Sequence, residues 1–302
     1  TVSEEIFKQV SDSYRRIRNT ASFMLSNLNG FEPVKNSVIA EEMLAMDYWI
    51  VRRCQILQKE LITHYHEYNF LNVYQKIHNF CVVELGGFYL DVIKDRQYTC
   101  QTDSLARRST QTAMYHILEM LSRLIAPILS FTAEELWEHI PGEKADSVFL
   151  TSFSDAIGEL PESKEFDDQF WSKLMEVKSA VNKELESKRS EKVIGSGLGA
   201  EVNLFCDEEL MAILERLGEE LRFVLIVSKV SIESIDKAGS EARLTSNSGL
   251  KVLVSASKFL KCDRCWHHHS SVGKNSEHSL LCGRCITNIE GLGESRLSLI
   301  PI

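Results

Sequence analysis

The sequence predicts a mainly α fold: an antiparallel helical bundle, then a small α/β unit, then a short C-terminal cysteine ribbon. Three observations predict it. Apolar residues recur every three or four positions through about the first 140 residues. Two β-rich runs, "LRFVLIVSKVSI" (221–232) and "LKVLVSAS" (250–257), come later in the chain. Two Cys-x-x-Cys pairs then stand close together in "KCDRCWHHHSSVGKNSEHSLLCGRCI" (261–286).

The elements follow in order. Residues 3–29 place Ile6, Val10, Tyr14, Ile17, Ala21, Met24 and Leu28 on one helical stripe, and "NGFEP" (29–33) breaks it. Leu44, Tyr48, Val51, Leu57, Leu61 and Tyr65 mark a second helix over 38–66. A third runs over 69–95, where Gly86 and Gly87 are expected to kink or divide it. A fourth covers 104–126 and stops before Pro127; Thr132 and Glu135 in "SFTAEELW" read as a capping box that opens the next. Long helices with short breaks give an antiparallel bundle. Residues 155–168 carry Asp155, Glu159, Glu162, Glu165, Asp167 and Asp168 against Lys164 alone, a solvated connector. A helix over 167–192 ends in "GSGLGAEVNLF", and the two β-rich runs complete an α/β unit. The expected division is 1–154 for the bundle, 155–257 for connector, long helix and α/β unit, and 258–302 for the ribbon.

Bulk properties narrow the class. The chain has 302 residues, 44% of them hydrophobic and 25% charged, as soluble globular proteins do. Its net charge of −9 disfavours a general nucleic-acid coat but leaves room for clustered positive charge. No apolar run approaches the roughly 20 residues of a membrane span. The opening "TVSEEIFKQV" has neither an initiator Met nor a basic-then-apolar leader, so the expectation is a cytoplasmic protein and a piece of a longer one. Cys54, Cys81, Cys100 and Cys206 are scattered singly, three of them in apolar periodic stretches where Cys acts as a small buried hydrophobe.

Catalytic signatures are missing. There is no phosphate-binding Gly-x-x-x-x-Gly-Lys loop, no Gly-x-Ser-x-Gly elbow and no His-Glu-x-x-His helix. Gly195, Gly197 and Gly199 lack the dinucleotide fingerprint and read as a helix stop and turn. No carboxylate stands out as isolated in an apolar setting. His64 and His66, two apart on a helix, face different ways.

The chemistry sits in Cys262, Cys265, Cys282 and Cys285. Two such pairs at this separation form knuckles that close a tetrahedral thiolate site, with Gly283 suited to the second turn. Zinc fits sulfur, tetrahedral geometry and redox inertness; a site closed by four Cys has no open position and is structural. Two redox dithiols, a disulfide pair, an iron–sulfur cluster, and His278 replacing one Cys are the alternatives. Arg264 and Trp266 stand on the first knuckle. Arg pairs with base edges or phosphate, and Trp stacks on an unpaired base or lies flat on the ribbon's own core. Residues 258–296 hold six basic and four acidic residues, so a four-thiolate zinc centre brings the ribbon near neutral. Attraction for phosphate then falls to other clusters: Arg15, Arg16 and Arg18, Arg52 and Arg53, Lys94 and Arg96, Arg107 and Arg108. Each is otherwise a solvated face or a favourable helix end.

"SDSYRRIRNTASFMLSNLNGF", "YQKIHNFCVVELGGFYLDVIKDRQY", "RRSTQTAMYHILEMLSRLIAPILSFTAEELW" and "KCDRCW…CGRC" together resemble the C-terminal part of bacterial isoleucyl-tRNA synthetases, over nearly the whole chain and in the same order. The helical part is similar to the anticodon-binding domain of class I synthetases. The ribbon is also similar to the zinc finger of formamidopyrimidine-type DNA glycosylases. The resemblance implies an isoleucine–tRNA ligase that uses ATP in domains absent from this chain, so the chain itself binds tRNA with an isoleucine anticodon and has no catalytic residue. It implies one structural zinc on the four Cys, Arg264 and Trp266 on anticodon bases, and Arg15, Arg18, Lys94 and Arg96 on the stem-loop. It implies a monomer whose remaining partner is the catalytic body of the same polypeptide, with no membrane. The family usually has Ser-Leu-Glu-Ala where this chain has Gly197, Leu198, Gly199 and Ala200. The competing readings are a zinc-ribbon DNA-binding module and a protein-interaction bundle.

Overall fold

The computed structural model describes residues 3–153 and 158–296. It is mainly helical, with one small mixed sheet and a cysteine cluster near the C-terminal end. Residues 3–97 and 102–163 form one compact unit; Tyr98–Gln101 and residues 164–296 form a second. Asp155 of the acidic connector lies outside the described residues.

In the first unit, α1 (Glu4–Asn27) opens where Ser3 accepts the Ile6 N–H, with Glu4 and Glu5 favouring the positive end of the helix dipole. Ser13, Ile17, Ala21 and Met24 are its buried face, while Ile6 and Val10 stay exposed. A single turn, α2 (Pro33–Asn36), and a 3-10 turn (Ala40–Glu42) precede α3 (Ala45–His66), so the second helix starts where its apolar stripe does, next to Leu44, and not at residue 38.

The next helix is not broken by its glycines. α4 (Phe70–Asn79) and α5 (Leu90–Thr99) are joined by a wider stretch, Phe80–Tyr89, with i→i+5 geometry. A Cβ on Gly86 would lie 3.1 Å from the Cys81 carbonyl, and one on Gly87 3.2 Å from that of Val82. The pair therefore admits the widened turns rather than ending the helix.

α6 (Leu105–Ile125) is capped by Ser104, which accepts the Arg107 N–H. α7 (Ser130–His139) starts ahead of the expected capping box. Thr132 is buried beside the Tyr14 hydroxyl at 3.1 Å, and Glu135 pairs with Arg18 at 2.6 Å, so neither caps the helix.

Polar contacts tie these helices in pairs. The Leu44 N–H donates to Ser109 Oγ, and the Tyr65 hydroxyl donates to the Leu124 carbonyl, at the two ends of α3 and α6. Gln111 of α6 donates to the Asn27 carbonyl at the end of α1. Lys76 pairs with Glu60, and Arg53 with Glu84.

Asp47 sits among these helices with 0% exposure. Its carboxylate accepts from Tyr89 at 2.7 Å, Ser109 at 2.6 Å and Arg96 at 3.2 Å, with Thr110 at 3.4 Å. This corrects the sequence reading that no carboxylate is isolated in an apolar setting. Burial pushes the Asp47 acid up from its ordinary range, while Arg96 first and then the hydroxyls pull it down. The acidic connector is also less free than its composition suggests. Gln55 donates to the Gly158 carbonyl and accepts the Leu160 N–H, and Leu160 is buried.

The second unit is built on α8 (Asp168–Ser190), capped by Asp167, which accepts the Phe170 N–H at 2.7 Å. A 3-10 turn (Gly197–Gly199) leads into β1 (Ala200–Cys206). α9 (Glu208–Glu215) and α10 (Glu220–Leu225) then precede β2 (Lys229–Ser234), β3 (Arg243–Leu244) and β4 (Leu250–Ala256). The strand order is β2-β1-β4-β3, with β1 parallel to β2 and antiparallel to β4. The first half of the run expected as strand over 221–232 is thus helix. It ends at Ile226 in a left-handed conformation (φ 57°), and buried Lys178 donates to the Val224 carbonyl at 2.6 Å. Gly197 is required by a close approach: a Cβ there would lie 2.8 Å from the Ile226 carbonyl oxygen. The last helix is α11 (Gly283–Glu290). No described helix is long and apolar enough to cross a membrane.

Candidate metal centre and nucleic-acid interface

The ribbon begins as a short hairpin. Lys261 bridges His268 in antiparallel register, the Cys262 N–H donates to the His267 carbonyl, and the His269 N–H donates to the Leu260 carbonyl. The Trp266 N–H closes the first knuckle on the Cys262 carbonyl at 2.9 Å. The second knuckle uses a helix start: Cys282 is the N-cap of α11. The Asp263 N–H donates to the Leu280 carbonyl and joins the two arms.

This arrangement gathers Cys262, Cys265, Cys282 and Cys285, all buried, with their sulfurs within 4.8 Å of one another. Cys265 and Cys282 Sγ are 3.7 Å apart, and the Cys282 N–H donates to Cys262 Sγ at 3.3 Å. Four thiolates about 2.3 Å from a tetrahedral ion have a sulfur–sulfur edge of about 3.8 Å. A disulfide would need about 2.05 Å, and all eight cysteines are free. The donor set therefore fits a single soft, tetrahedral cation. Hydrogen bonds from Cys265 and Cys285 hold the Cys282 thiol far below its ordinary range, while hydrogen bonding to Cys265 and Cys282 pushes Cys285 up. His278 is not in the cluster; its Nε2 pairs with Glu290. Gly283 needs no special backbone, since a Cβ there would meet only Ser271 at 3.6 Å. The left-handed residue of the ribbon knuckles is Trp266 (φ 64°).

Trp266 is 58% exposed, so its ring is not the lid of a small ribbon core. Lys261 Nζ lies 4.9 Å from its ring centroid. A bulky aromatic held in the left-handed region and turned to solvent is the kind of strained residue that clusters at binding sites. Arg264 is exposed, and its guanidinium donates to the Thr99 carbonyl at 3.2 Å.

The other expected contacts divide. Arg15 and Arg18 are exposed on α1, loosely held by Asp12 at 3.1 Å and Glu135 at 2.6 Å. Lys94 is exposed and paired with Asp91 at 2.7 Å. Such surface pairs are weak and yield readily to a phosphate. Arg96 is different. At 4% exposure, with its guanidinium on Asp47, it is a core ion pair and has no surface to offer a phosphate in this conformation. The sequence signal that distinguishes it was Asp47 itself, an acid inside the apolar run "LAMDYWIV". The scattered thiols behave as small hydrophobes: Cys54, Cys81, Cys100 and Cys206 are all buried, and burial pushes Cys81 up to about 12.

Comparison with known proteins bears on both ends of the chain. The family model described as the anticodon-binding domain of tRNA ligase matches residues 47–204, just over half of the chain. A second, described as a zinc finger found in FPG and IleRS, matches residues 259–288 and contains all four clustered cysteines. The chain is 56% identical over 298 residues to a protein of Marinomonas sp. (strain MWYL1) named isoleucine--tRNA ligase, and 55% identical over 295 residues to one of the same name from Pseudomonas entomophila (strain L48). Each alignment takes in 98% of this chain but only 32% and 31% of those proteins, so the chain spans about a third of the length of the curated relatives it matches.

Proposed function

The chain belongs to the family of tRNA-ligase anticodon-binding domains, and from that premise we propose that it recognises the anticodon stem-loop of isoleucine tRNA. In this reading it is the C-terminal part of a longer isoleucine–tRNA ligase. That polypeptide joins isoleucine to its tRNA at the expense of ATP, giving isoleucyl-tRNA, AMP and diphosphate. The chemistry and the ATP belong to the catalytic body, on which this chain docks; the chain contributes binding and no catalytic residue.

One observation carries the proposal: an exposed, left-handed Trp266 at the tip of a four-cysteine cluster, in a chain of this family. Zinc held by Cys262, Cys265, Cys282 and Cys285 supplies structure, because four thiolates leave no open coordination position. It fixes the knuckle that presents Trp266 and Arg264. Trp266 then stacks on an unpaired anticodon base, and Arg264 exchanges the Thr99 carbonyl for a base edge or phosphate. Arg15, Arg18 and Lys94 neutralise stem-loop phosphates; Arg96 leaves this set for the core.

The first 154 residues act as an antiparallel bundle. The pairings of Lys76 with Glu60 and of Arg96 with Asp47 support α3 and the helix that follows it running in opposite directions. The stretch 155–257 is the junction and 258–302 the ribbon. The protein acts as a monomer in the cytoplasm. A titration at stated salt tests the proposal: tRNA with an isoleucine anticodon should bind more tightly than duplex DNA or tRNA with altered anticodon bases. Equal affinity for all three would refute it.

A further inference from the structure

A cavity of about 330 Å³ lies between the ribbon hairpin and the sheet of the second unit, and none of the expected contacts uses it. Phe259, an aromatic residue 44% exposed, is part of its lining. The backbone beneath that ring is held on both sides. Its N–H donates to Ser257 Oγ at 3.3 Å, and its carbonyl lies 2.8 Å from His268 Nδ1. Ser257 is in turn anchored on Glu201, and the His268 N–H donates to Ser228 Oγ at 2.6 Å. An apolar ring left in contact with water on so fixed a backbone is a ready platform for a flat ligand.

Charge sets the orientation of that ligand. Arg222 is anchored by Glu219 at 3.1 Å and lies over Phe223, 4.0 Å from its centroid. Lys229, at the start of β2, is exposed and has no ion pair among the described residues. Glu201 and Glu219 line the same cavity. Carboxylates repel a phosphate placed inside it but accept N–H groups from the edge of a base. A nucleotide therefore enters base first, with its phosphate at the rim beside Lys229.

The hairpin also links this cavity to the exposed Trp. Lys261, which lies over Trp266, bridges His268, and His268 holds Phe259. Trp266 and Phe259 are thus two exposed rings on one hairpin, with a cation between them in sequence. Successive unpaired bases stack on such spaced aromatic platforms along a backbone track.

We infer that the cavity seats one unpaired ribonucleotide, its base on Phe259 and its phosphate on Lys229, distinct from the nucleotide on Trp266. The inference rests on the RNA-binding reading above. The test uses the whole chain, zinc-loaded, titrated with a tRNA transcript bearing an isoleucine anticodon. Phe259→Ala should weaken binding between about 5-fold and 150-fold at fixed salt, with zinc content unchanged. Lys229→Gln should weaken binding and lower the slope of log affinity against log salt by about 0.7 to 0.9. Phe259→Tyr, which keeps a stacking ring, should bind as the unsubstituted chain does. If Phe259→Ala loses its zinc, the salt slope of Lys229→Gln decides alone. Unchanged affinity and slope in these variants would overturn the cavity's role while leaving the RNA reading intact. Absence of tRNA binding by the unsubstituted chain would overturn that reading and the inference with it.

Discussion

Arg96→Met tests whether the first unit is held at its centre by an ion pair. Asp47 is fully buried and the Arg96 side chain is 5% exposed, so water cannot replace the lost guanidinium. The carboxylate keeps Tyr89, Ser109 and Thr110 as neutral donors but loses its only bonded cation among the described residues. Breaking a buried pair by removing one partner costs about 3–5 kcal/mol. Burial already raises Asp47, and Arg96 is the largest influence opposing it. Its removal raises the folded-state pKa further above the unfolded value. A group raised in this way favours the folded state below its unfolded pKa and loses that contribution as pH rises through the folded one. The deficit should therefore be larger at pH 8 than at pH 5. Urea unfolding followed by far-UV circular dichroism at both pH values measures it. The double variant Asp47→Asn, Arg96→Met should recover most of the loss, because no unpaired charge remains. A cost below about 1 kcal/mol, together with weakened tRNA binding, would refute the argument and return Arg96 to the RNA-facing set.

Other substitutions probe the remaining links. Trp266→Ala should weaken tRNA binding by about 1–3 kcal/mol, the value of one base stack, with zinc retained; unchanged affinity would make Trp266 a packing residue. Cys282→Ser should release the metal and unfold the ribbon while most of the helical signal persists, since the buried faces of α1, α3 and α6 lie in the other unit. Loss of most helicity would contradict that division. Gly197→Ala should destabilise by about 1–3 kcal/mol through overpacking, because its Cβ would lie 2.8 Å from the Ile226 carbonyl. Gly283→Ala, whose Cβ meets only Ser271 at 3.6 Å, should be close to neutral when both variants are compared by urea unfolding.

The legible parts of this chain were those governed by periodicity and spacing. Ile17, Ala21 and Met24 are buried where three- and four-residue steps put them, and the four cysteines meet as their spacing requires. Misreadings came where tertiary context outweighed a local pattern. "LRFVL" has the composition of a strand but forms α10, closed by a left-handed Ile226 and by Lys178 on the Val224 carbonyl. Gly86 and Gly87 look like a break, yet the helix widens around them. Thr132 and Glu135 have capping-box spacing, but α1 claims both side chains. Arg96 reads as a surface charge until Asp47 is placed opposite it. Phe259 and Lys229 are far apart in sequence, and only the ribbon packed against β2 brings them to one cavity.

The central claim is that a caged metal presents a rigid aromatic finger to unpaired anticodon bases. Its most direct test is the affinity of the zinc-loaded chain for an isoleucine-anticodon tRNA, at one fixed salt, before and after chelation. The expected result is one zinc per chain, preference for that anticodon over an altered one, and loss of the preference once zinc is removed. A chain that discriminates the two anticodons equally well without metal, or never discriminates them, would contradict it.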